Sequence, residues 1–141
     1  MDYILDVNGN QCTYLDGELH SYDDKPAMIQ KNGTKFWFKN GLRHRDTIDP
    51  DTGLTLPAII SPNGDQVWFK DNMITRDDTV IVNGVIMSLP SRIYANGIRI
   101  WIQKNKLHRT DIDPITRLRL PAIIYPDGTT ECWVDDNQVT Q

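Results

Sequence analysis

The chain has few cysteines, no long hydrophobic run and no helical periodicity, and each absence excludes something. No apolar stretch in its 141 residues approaches the ~20 that a membrane-spanning helix needs. The opening segment MDYILDVNGNQ has neither a basic flank nor a long apolar core, so no secretory signal is read there and the expected location is intracellular. Cys12 and Cys132 stand near opposite ends, with no C-x-x-C pair and no Cys/His cluster. That is neither a disulfide framework nor a zinc site, and both are expected as small buried residues. No segment sustains an apolar period of 3.6, so no helix is predicted.

Charge is modest in total and uneven in distribution. The net charge is −4, with 24% charged residues, which argues against a nucleic-acid partner. Residues 1–24 carry only acidic side chains and residues 25–45 only basic ones. Residues 46–91 are net acidic, 92–119 net basic and 120–141 acidic again. The alternation could serve cross-strand pairing, each pair worth roughly 0.2–1 kcal/mol. It could equally set the register between copies, or match a partner with complementary stripes.

What the chain does contain is a repeat. A shift of 64 residues superposes Pro26 on Pro90, Asn32-Gly33 on Asn96-Gly97 and Trp37 on Trp101. It likewise superposes His44-Arg45 on His108-Arg109 and LPAII at 56–60 on LPAII at 120–124. Each half holds two shorter units: PAMIQKNGTKFWFKN and PAIISPNGDQVWFKDN, then PSRIYANGIRIWIQKN and PAIIYPDGTTECWVDDN. A degenerate copy precedes them, so the units run approximately 1–25, 26–56, 57–89, 90–120 and 121–141. Tyr14, Trp37, Trp68, Trp101 and Trp133 share one position of the unit, and His20, His44 and His108 share another. Thr75 stands where the remaining full unit would have histidine, without visible compensation.

Within each unit an apolar run meets Asn-Gly or Asp-Gly and a second apolar run follows. This pattern predicts a hairpin, with a type I′ turn at that pair. The prolines precede the first strand, where a missing N–H costs little. TVIVNGVIMSL, between Asp78 and Pro90, predicts a small extra hairpin. The stretch FWFKNGLRHRD (36–46) reads as a second strand plus the loop to the next unit. The expected fold is all-β: tandem hairpins in about five units plus the extra one, forming a single domain over 1–141.

WFKNGLRHRD, with PAII and the Asn-Gly pairs around it, resembles the MORN repeat, in a divergent form found in uncharacterised proteins of large DNA viruses, phages and bacteria. The resemblance covers nearly the whole chain. It implies hairpins stacked into an elongated, twisted sheet that serves as a scaffold or binding surface, with no catalytic residue carried over. It also makes a viral, phage or bacterial source plausible, with a place in the host cytoplasm or virion if viral. The chain departs from the short form through the inserts TIDPDTGLTL (47–56) and DIDPITRLRL (111–120).

Chemical readings of single motifs are weaker. His44-Arg45-Asp46 has the letters of a kinase catalytic loop, but the chain has neither the glycine-rich loop nor the Asp-Phe-Gly that a kinase needs. The histidines could line up as a metal or acid–base ladder, yet equivalent side chains lie a repeat apart, too far for shared coordination at about 2.0–2.1 Å. They are therefore expected to pin the loops between units. Asp46, Asp49 and Asp51 faintly resemble a calcium loop that lacks its terminal Glu. The tryptophans could be a stacking stripe for sugars or bases, but are expected to pack as the repeat core.

Apolar flankers on both sides of each Trp imply that both sheet faces are covered. The candidates are the inserts, the extra hairpin or another chain. At the C-terminus, Asp135 and Asp136 are candidate gatekeepers of an edge strand.

The expected role is a non-enzymatic repeat protein with no cofactor, no metal and no small-molecule substrate, working through a protein partner or self-association. It would be an assembly component or a factor that binds and blocks a host protein. The inserts supply the candidate contact residues, expected to be exposed: Arg45, Asp49, Asp51, Arg109, Asp113, Arg117 and Arg119. The alternative is membrane-surface or anionic-ligand binding through the basic blocks 25–45 and 92–119, a reading the net acidic charge disfavours.

Overall fold

A computed structural model describes residues 2–141. The chain divides into two compact units, Met1–Met73 and Ile74–Gln141. It is all-β, with no helix among the described residues. In chain order the first unit contains β1 (Ile4–Leu5), β2 (Gln11–Cys12), β3 (Tyr14–Leu15), β4 (Glu18–Leu19), β5 (Met28–Ile29) and β6 (Lys35–Phe36). It continues with β7 (Phe38–Lys39), β8 (Leu42–Arg43), β9 (Ile59–Ile60), β10 (Gln66–Val67) and β11 (Phe69–Lys70); β12 (Met73–Ile74) falls on the boundary. The second unit contains β13 (Thr79–Val82), β14 (Val85–Ser88), β15 (Arg92–Ile93), β16 (Arg99–Ile100) and β17 (Ile102–Gln103). It ends with β18 (Lys106–Leu107), β19 (Ile123–Ile124), β20 (Thr130–Val134) and β21 (Asn137–Val139).

Each unit is a meander of major hairpins with a minor hairpin after most of them. In the first, β1-β2-β5-β6-β9-β10 form the antiparallel ladder, and β3-β4 and β7-β8 pair separately. In the second, β15-β16-β19-β20-β21 form the ladder, and β17-β18 and β13-β14 stand apart. The extra hairpin lies where TVIVNGVIMSL predicts it, with Asn83-Gly84 at its turn.

The turns correct the sequence reading. At the major hairpins only the glycine is left-handed: Gly33 has φ 92° and Gly97 φ 101°, whereas Asn32 and Asn96 do not have positive φ. These are three-residue turns ending in a left-handed glycine, closed by Gly33 N–H to Gln30 O and Gly97 N–H to Tyr94 O. The asparagine acts through its side chain. Asn32 Oδ1 accepts the Thr34 N–H and Asn96 Oδ1 that of Ile98, an Asx turn that competes with type I′ geometry. Pairs with both φ positive, as type I′ requires, sit instead at the minor hairpins, Asp16-Gly17, Asn40-Gly41, Asp71-Asn72 and Lys104-Asn105, and at Asp135-Asp136 between β20 and β21. So FWFKNGLRHRD is not strand plus loop. It leaves β6 and makes a whole minor hairpin, β7-β8.

The strand does not run straight through the aromatic. Trp37 separates β6 from β7; its N–H donates to Ala58 O and its carbonyl accepts the His44 N–H. Trp101 repeats this with Ala122 and His108. Because the chain turns a corner at the Trp, its two flankers belong to different sheets, and the inference from strict alternation does not hold there. Only β20 passes unbroken through its tryptophan, Trp133. The residues after the prolines, Ala27, Ala58, Ser91 and Ala122, are wholly buried, so the chain admits only a small side chain at that point.

Candidate functional site

The repeated motif builds a staple. Trp37, Trp68 and Trp101 are buried, and each indole N–H donates to a carbonyl thirteen residues upstream: Asp24 at 3.0 Å, Thr55 at 2.9 Å and Ser88 at 3.2 Å. That acceptor lies two residues before each proline, a regularity the repeat alignment contains but composition does not reveal. The guanidinium of Arg45 lies 3.8 Å over Trp37 and that of Arg109 lies 3.9 Å over Trp101. Arg45, Arg76 and Arg109 then donate from Nη1 to the carbonyls of Pro57, Pro90 and Pro121 at 2.9–3.0 Å.

Each guanidinium also has a carboxylate. Arg76 Nε donates to Asp78 at 2.7 Å and Arg109 Nε to Asp111 at 2.8 Å, both two residues on. Arg45 has Thr47 at that place and binds Asp24 instead, which Thr47 also contacts. Burial pushes the Arg76 and Arg109 guanidiniums below their ordinary value, opposed by Asp78 and Asp111. For Asp24, burial pushes upward, but the hydrogen bonds from Arg45 and Thr47 together hold it below the usual carboxylate range.

This geometry corrects the expectation that Arg45 and Arg109 are exposed. Their side chains are only 9% and 8% accessible, because a guanidinium that stacks on an indole and holds a carbonyl is drawn into the core. The tryptophans beneath them are covered, so they present no open stacking stripe.

Histidine acts on the minor hairpins. Nδ1 of His20, His44 and His108 accepts the N–H of Asn40, Asp71 and Asp135, each the first residue of a tight turn one repeat on. Thr75 is compensated after all. Its hydroxyl donates to Gln103 Oε1, and Gln103 Nε2 donates to Arg76 O. Among the described residues, no group of three or more His, Cys, Asp or Glu side chains is placed to hold a metal ion.

The inserts are short loops, each with one antiparallel bridge, Ile48 to Thr55 and Ile112 to Arg119. Asp49 spends its carboxylate on the Asp51 N–H, and Asp113 on those of Ile115 and Thr116. Asp51 and Arg117 are exposed; Asp49, Asp113 and Arg119 are half-buried. Arg117 holds φ 63° where the first insert has Gly53 at φ 73°. Left-handed backbone costs a non-glycine residue ~1–2 kcal/mol. Arg117→Gly is therefore expected to raise stability by up to about 1 kcal/mol after glycine's own entropic cost, read from urea unfolding; a loss of stability would refute the strain.

The second unit also contains a groove of about 410 Å³ between the extra hairpin and the second insert, mostly apolar and lined by Val80, Val82, Met87, Leu89, Ile115 and Leu120 over Trp101. Arg99, Arg109 and Asp113 are its charged members. Sequence reasoning placed Arg109 and Asp113 among the contact residues but missed Arg99 and the groove, which arise from segments some thirty residues apart. On the hairpin's other face Ile81 pairs with Ile86, and the two are 75% and 68% exposed. No family model, no curated protein and no solved structure matches the chain. No helix among the described residues is long and apolar enough to cross a membrane.

Proposed function

We propose that this chain is a non-enzymatic, MORN-like hairpin-repeat protein that binds another polypeptide chain through the outer face of its extra hairpin, 79–88. The observation that carries the reading is the Ile81–Ile86 pair, exposed on a two-stranded sheet. A two-stranded hairpin is marginal by itself in water, and its open edges are templates for further strands. An isoleucine pair held outward at that place is a liability unless something covers it. The Trp–Arg staples and histidine contacts serve to hold the repeats in shape, and no reaction is assigned to them.

The double substitution Ile81→Lys/Ile86→Lys tests this. Both side chains point to solvent, so the variant is expected to melt within a few degrees of the parent. It should lose whatever self-association light scattering detects in the parent, or whatever partner the parent retains on an affinity column from native lysate. A parent that is monomeric at all concentrations and retains no partner would refute the reading, as would a variant that keeps its partner.

A further inference from the structure

The groove on the inner side of that hairpin has chemistry of its own. Met87, only 5% exposed, forms its floor with Trp101, and Val80, Val82, Leu89 and Leu120 supply apolar walls. Its volume of about 410 Å³ falls in the ~300–1,000 Å³ range of small-molecule sites. Charge in it is unbalanced. Arg109 is committed to Asp111, Pro121 and the Trp101 ring. The acid Asp113 gives its Oδ1 to two backbone N–H groups of its own turn. The Arg99 side chain is exposed and makes no hydrogen bond or ion pair among the described residues, while its backbone pairs with β15 and β19.

We infer that this groove is a binding site for an aliphatic carboxylate, with the alkyl chain along Val80, Met87 and Leu120 and the carboxylate on the Arg99 guanidinium. An anion there would also relieve Arg109. Burial first, then in smaller part the like charge of Arg99, depresses that guanidinium, against the pull of Asp111. A polypeptide occupant fits less well, because the walls leave few groups to satisfy its backbone. Of the two uncharged polar residues in the lining, Asn83 sits at the hairpin's turn, and Ser88 already commits its N–H and hydroxyl to Asp111 and its carbonyl to the Trp101 indole. Unpaired peptide groups in an apolar groove are costly, whereas an alkyl chain leaves none.

Decanoate below its micellar concentration is the probe, titrated into the full chain and followed by two-dimensional amide NMR. Saturable shifts are expected on Val80, Met87, Trp101 and Leu120. Affinity should rise about three- to fourfold per methylene from hexanoate to decanoate. Arg99→Gln, an exposed strand position, should weaken decanoate about tenfold and leave decanol binding unchanged. The inference is overturned if no saturable shift appears, if shifts fall outside the groove, or if decyltrimethylammonium binds as well as decanoate. Unchanged decanoate affinity in Arg99→Gln also overturns it. An acidic apolar peptide that saturates these amides when decanoate does not would overturn it in favour of a polypeptide occupant. The site is separate from the proposed partner face: decanoate binding should survive Ile81→Lys.

Discussion

Replacing Arg109 by Ala is expected to destabilise the fold by about 3–5 kcal/mol, the usual cost of breaking a buried ion pair from one side. Arg109 is 8% exposed and Asp111 14%, so water reaches neither well. Removing the guanidinium leaves Asp111 with only the Ser88 N–H and hydroxyl as partners, strips the Pro121 carbonyl of its donor and uncovers the Trp101 ring. Arg109→Lys should recover only part of the loss, since an ammonium is a point charge and cannot lie flat on an indole while reaching two acceptors. Arg45→Ala is expected to cost less, because Asp24 is 34% exposed and can recruit water once its partner is gone. Urea unfolding of the three variants checks the order. A cost below ~1 kcal/mol for Arg109→Ala, the range of surface pairs, would mean that the staple contributes little.

Trp101→Ala is expected to cost about 3–5 kcal/mol, as loss of a buried aromatic does. The side chain is 4% exposed, donates to Ser88 O and supports Arg109. Trp101→Phe separates these contributions, retaining most of the ring but leaving the Ser88 carbonyl without its donor, at ~1–3 kcal/mol. Trp133→Ala should cost clearly less. That indole is half-buried and bonds Glu131 at 3.1 Å rather than an upstream carbonyl. Equal losses at the two positions would contradict the assignment of unequal burial to the last copy.

Much of the local structure was legible because hairpin signals are short-range. Apolar runs around Asn-Gly and Asp-Gly marked the hairpins, and TVIVNGVIMSL marked the extra one. The type of turn was not legible from those pairs. Whether Asn32 adopts left-handed backbone or bonds the Thr34 N–H with its side chain depends on the number of residues between the paired strands. The corner at each tryptophan was missed for a related reason. Alternation assumes a continuous strand, and Trp37 ends one pairing and begins another. Thr75 looked uncompensated because Gln103, its partner, lies twenty-eight residues on, in the next unit, where the first two full units have Lys39 and Lys70.

By itself the sequence determined the repeat, the all-β class and the columns of Trp, His, Arg and Pro, since these follow from periodicity and from turn residues close in the chain. Only the tertiary structure decided what those columns do. Arg45 and Arg109 were read as exposed contact residues and are instead drawn over Trp37 and Trp101, onto the prolines of the following units. The groove with Arg99 at its edge likewise exists only once the extra hairpin and the second insert come together. The physical reason is the same in both cases. A side chain's exposure and its partners depend on which distant segments pack around it, and sequence spacing does not encode that packing.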